Sequence, residues 1–234
     1  MKTTIAGVCC ATFFLLGIAP MADAALVSRL GGQAVYDTDL DITWLADANL
    51  AKTNSFGLPS GILANGQMDW DTANQWIGAM NAAGYLGSSA WRLPTTTQPD
   101  FTCSTQDSGF GLGFWCSGSE FGHLFYTEMS GTTGMTAPPG TAPIGNVPAF
   151  QLFSNIERLS FPSAYWTGTS LNASFKWIFD WGNAEQKLLT KSSLIYVWPV
   201  MNGDVGAGSV PVPGAAWLFV SSLLLLPGIA RRRR

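Results

Sequence analysis

Ten tryptophans stand among 234 residues, and where they fall constrains the fold more than any other feature. Trp44, Trp76, Trp91, Trp166, Trp177 and Trp198 each lie in a short segment with regular patterning. Burying an indole takes several apolar neighbours at once, so these segments are expected to meet in a core. One of them has helical periodicity. Ala73, Trp76, Ile77 and Met80 share one face, which predicts an amphipathic helix to about Ala83, with Asp71 as N-cap and Gly84 as its end. The other segments read as short strands. Residues 34–45 form two around a turn, and Trp91 to Thr95 is extended. Phe175, Trp177 and Phe179 alternate, and residues 193–201 form the last strand. Residues 96–163 are rich in Gly, Thr and Pro and predict long surface loops.

The two ends bound what can fold. Lys2, an apolar run over residues 5–19 and Ala22-Asp23-Ala24 predict a secretory signal peptide over 1–24. At the other end, residues 205–209 form a linker. Val210, Pro211, Val212 and Pro213 follow, then an apolar run over 214–230, then Arg231, Arg232, Arg233 and Arg234. Seventeen residues of helix would reach about 26 Å, which predicts a short transmembrane helix with its arginines on the cytoplasmic side. This order of parts resembles the PEP-CTERM sorting signal in its Val-Pro-x-Pro-Ala variety, departing from it at Gly214. The resemblance implies processing by an exosortase after passage through the Sec export machinery, with at least transient residence in the inner membrane of a bacterium. It implies a final place in the cell envelope, on the surface or in the medium.

Charge narrows the partners. The twelve Lys and Arg include Lys2 and the four terminal arginines, which leaves seven. Of fifteen acids only Asp23 is lost, so the body carries about seven net negative charges. That excludes nucleic acid as a partner held by bulk charge. Cys103 and Cys116 remain after signal removal, an even pair bound for an oxidising compartment. They predict a disulfide contributing about 3 kcal/mol by the chain-entropy relation.

Several residues could carry chemistry. Asp37, Asp39 and Asp41 offer the oxygens of a calcium site, or else share one solvent-facing side of a strand. Arg92 could bind an acidic ligand bidentately, or pair with a buried carboxylate. Trp115 and Trp181, both expected in loops, are the tryptophans suited to stacking on a sugar. His123, the single histidine, lies beside no nucleophile motif, so no catalytic residues and no cofactor are expected.

Asp39-Leu40-Asp41-Ile42-Thr43-Trp44-Leu45, the helix with Trp70, Ala73 and Trp76, and Trp91-Arg92-Leu93-Pro94-Thr95 occur here in that order. Tyr165-Trp166-Thr167-Gly168-Thr169 and Tyr196-Val197-Trp198-Pro199-Val200 complete the series. Together they resemble the Lcl C-terminal domain family. The resemblance implies an α+β body over 25–204: a single C-type-lectin-like domain with short antiparallel strands, one main helix and long loops. It carries no general catalytic activity, and some members bind sulfated glycans. The expectation is a non-enzymatic surface or matrix protein that binds extracellular polysaccharide. The alternative is an adhesive protein that binds a protein partner.

Overall fold

The computed structural model describes residues 26–132, 144–159 and 162–206. The expected signal peptide, the motif at 210–213, the apolar run at 214–230 and the terminal arginines lie outside them.

Strands β1 (Leu26–Arg29), β2 (Ala34–Asp37) and β3 (Ile42–Leu45) form an antiparallel meander, and β9 (Val200–Asn202) returns to pair with β3. A second antiparallel sheet joins β6 (Ala164–Ser170), β7 (Phe175–Asp180) and β8 (Glu185–Thr190). A hairpin of β4 (Thr105–Asp107) and β5 (Phe110–Leu112) sits in the region expected to be loop. All four residues of β3 are buried, and so are five of six in β7, because both strands are central and covered on both faces.

Helix α1 (Trp70–Ala82) buries Ala73, Trp76, Ile77 and Met80, the face read from the sequence. Its cap is Asp69, whose carboxylate accepts the Thr72 N–H at 2.8 Å. Asp71, the expected cap, is the second residue of the helix's first turn and pairs with Lys191 at 2.8 Å. Among the described residues, the helical pieces that follow are short: a 3-10 turn over Tyr85–Gly87, α2 (Glu120–Gly122), a π turn over His123–Glu128, and α3 (Val147–Phe150).

The architecture is therefore mainly β with few helices, which corrects the α+β, lectin-like expectation. Helical periodicity arose once, and β4, β5 and β8 formed where the sequence showed no alternation. The transmembrane helix expected over 214–230 lies outside the described residues. No helix of the described residues is long and apolar enough to cross a membrane.

The six tryptophans of the regular segments are all buried, none more than 2 % exposed. Several of their N–H groups bond to backbone carbonyls of other segments. Trp76 donates to the Asn54 carbonyl at 2.8 Å, Trp91 to Tyr85 at 3.0 Å, Trp166 to Met68 at 2.9 Å and Trp198 to Leu45 at 2.7 Å. The Met68 and Tyr85 carbonyls also accept a backbone N–H, from Ile195 at 3.1 Å and Ser88 at 3.2 Å, so there the indole adds a second bond.

Candidate functional site: a groove beside Arg92

The extended segment at 91–95 is held on both sides by backbone-like bonding. The Asn81 side chain, from the end of α1, donates to the Trp91 carbonyl and accepts the Trp91 N–H, each at 2.8 Å. One residue on, Arg92 exchanges backbone bonds with Val200 at 2.7 and 2.9 Å. Between α1, this segment and the middle of β6 runs an open groove of about 510 Å³. Its floor is apolar, from Ile77, Trp91 and Leu93, and its rim carries Asn74, Thr95 and Thr169. Gly78 leaves one wall low.

Arg92 lines this groove but its guanidinium is already spent. It forms a bidentate pair with Glu120, at 2.7 and 2.9 Å. The remaining donors go to Asn202 at 2.6 and 3.1 Å and to the Leu93 carbonyl at 3.1 Å. Glu120 also accepts the Thr95 N–H at 2.6 Å. All five N–H directions of the fork are used, so Arg92 locks the 91–95 segment to α2 and β9, as the structural reading required.

Cys103 and Cys116 form the expected disulfide. Phe101, just before the loop it closes, is 81 % exposed; Trp115, on the loop, is 48 % exposed and rests on Tyr126 with ring centroids 5.3 Å apart. The Tyr126 hydroxyl donates to the Ala184 carbonyl, and burial pushes its pKa up to about 12. Trp181 corrects the sequence expectation. It is fully buried among Phe125, Phe179 and Trp198, so it offers no face to a ligand. The residues after β7 turn inward there, which a run of Trp-Gly-Asn does not disclose.

The aspartate triplet also separates. Asp39 and Asp41 are exposed, in a turn where Asp41 has φ 51° and accepts the Tyr36 hydroxyl at 2.9 Å. Asp37 is fully buried, and its Oδ1 accepts the N–H groups of Asp39 and Leu40, each at 3.0 Å. The strand therefore ends at Asp37, and the three carboxylates do not share a side. Asp37 instead approaches His123 and Glu128, with one potential ligand atom of each within 4.8 Å of the others. Burial raises the Asp37 pKa, and the hydrogen bond to Glu128 raises that of His123. Nothing in the sequence pointed to this grouping, because Asp37 and His123 stand far apart in the chain.

A family model described as the Lcl C-terminal domain matches residues 33–201, more than half of the chain. No curated protein and no solved structure matches it.

Proposed function

The chain belongs to the Lcl C-terminal domain family, which marks it as a surface or extracellular protein, and on that premise we propose that it binds extracellular polysaccharide without catalysis, in the groove beside Arg92. The observation that carries this reading is the groove's lining. The neutral amide and hydroxyl rim of Asn74, Thr95 and Thr169 suits the hydroxyls of a sugar, above a base closed by the largely buried Ile77, Trp91 and Leu93. Arg92, the cation among the lining residues, is fully engaged, so an uncharged glycan fits better than an acidic one.

Gly78 provides the test. It is exposed on α1, lines the groove, and an added Cβ would meet nothing within 4 Å. Gly78→Phe should fill the groove and abolish binding on a glycan array while the protein stays folded. Gly78→Ala should keep binding and add about 0.5–1 kcal/mol of stability, as expected for glycine replaced within a helix. An array on which the native protein binds nothing would sink the reading. In that event the exposed Trp115 on the disulfide loop and Phe101 beside it favour the second one, an adhesive protein that meets a protein partner there.

Exosortase processing belongs to the same proposal, supported by the order of Val210 to Pro213 and the terminal arginines. Intact-mass measurement of envelope-associated protein should find the residues beyond the motif removed. A mature chain still ending in Arg234 would refute it.

A further inference from the structure

His123 and Glu128 are five residues apart, a spacing that would leave their side chains about 140° apart around an α-helix. The chain here is instead a π turn, closed by the Met129 N–H donating to the Leu124 carbonyl at 3.0 Å. The wider turn sets the two side chains next to each other, with His123 Nε2 3.1 Å from Glu128 Oε1. Such turns are rare and concentrate at functional sites. Asp37 reaches the same place from the end of β2, bringing a ligand atom within 4.8 Å of both.

The state of Asp37 is the second observation. Its side chain is fully buried, and while Oδ1 is held by two N–H groups, Oδ2 has no hydrogen-bond partner. Proteins rarely leave a buried carboxylate oxygen unserved unless something binds it. We propose that Asp37, His123 and Glu128 form a binding site for a divalent first-row transition ion, with zinc as its natural probe.

The donor set fits that class. One imidazole nitrogen and two carboxylates are ordinary zinc ligands, and three protein ligands leave a fourth position open. Calcium would want six to eight oxygens instead. Two carboxylates balance a 2+ ion, which removes the penalty of burying Asp37 and Glu128 together. Ligands about 2.1 Å from a tetrahedral ion stand about 3.4 Å apart, close to the His123–Glu128 distance. The His123 side chain retains 15 % exposure, which gives the ion a way in. Exposed Asp39, whose charge also acts on His123, adds negative potential at that entrance. Bound there, the ion would tie the β2–β3 turn to the π turn.

The test titrates zinc chloride alone into the chelator-treated full protein, with calorimetry and thermal melting as readouts. One zinc per chain, micromolar affinity or tighter, and a melting point raised by several degrees support the site. His123→Gln should weaken zinc binding at least tenfold, with an unchanged far-ultraviolet circular dichroism spectrum, and Asp37→Asn should do the same. If Asp37→Asn fails to fold, the half-buried His123→Gln decides. Failure of the native protein to bind zinc would overturn the proposal. So would zinc affinity unchanged in His123→Gln, or calcium binding as tightly as zinc.

Discussion

Phe121→Ala is expected to cost the folded protein about 4 kcal/mol, within the range for truncating a fully buried phenylalanine. Phe121 is 1 % exposed, and its ring stands 5.2 Å from Trp44, 5.8 Å from Tyr165 and 5.9 Å from Phe179 and from Trp198. Those neighbours come from both sheets, so the ring joins one sheet to the other through α2. Collapse around the vacated space is opposed on one side by Gly122. A Cβ there would lie 1.7 Å from the Cys116 carbonyl oxygen, so the α2 backbone is already in contact with the disulfide loop. Urea titration should show a lower midpoint and an unchanged slope, and Phe121→Leu should lose less than half as much. A loss under about 1 kcal/mol for Phe121→Ala would mean that the surrounding indoles close the gap and that the two sheets do not depend on this ring.

The second large effect belongs to Arg92. Arg92→Ala should cost about 3 kcal/mol, the low end for breaking a buried pair, because the guanidinium is 31 % exposed while Glu120 is 16 % exposed. The loss would come from Glu120 and Asn202 left facing each other's oxygens without the fork between them. Arg92→Lys should recover only part of it, since an ammonium cannot serve two carboxylate oxygens and an amide in one plane. Chemical denaturation of both variants measures this, and the glycan array supplies the contrast. A variant of unchanged stability that loses glycan binding would move Arg92 from scaffold to ligand contact.

Much of the frame was legible from particular residues. Ala73, Trp76, Ile77 and Met80 announced α1, and the six patterned tryptophans announced the core, because both signals are local and set by burial. The segment at 91–95 was singled out as well, together with the structural reading of its arginine. What stayed hidden was decided by partners distant in the chain. β8 reads Glu-Gln-Lys-Leu-Leu-Thr, with no alternation, and becomes a strand through its register with β7. The last strand was read as residues 193–201, but β9 covers only Val200–Asn202. Pro199 has no N–H to donate, so the preceding residues make single bridges instead. The aspartates looked like one site because they alternate. The turn after Asp37 scattered them, and the π turn that gathers Asp37, His123 and Glu128 has no sequence signature.

The indole-to-carbonyl bonds bear on how such a protein can diversify. A loop held by its own side chains must keep those side chains. A loop held by a tryptophan N–H need only place a carbonyl in reach, and every residue type has one. Asn54, Tyr85 and Met68 contribute only their backbone to these bonds, so the bond itself does not depend on the residue type there, although the Met68 side chain is buried in the core. Mutation can therefore rewrite the loops at nearly constant length while the tryptophans stay fixed. A surface of this design can drift from one ligand to another without first losing its fold.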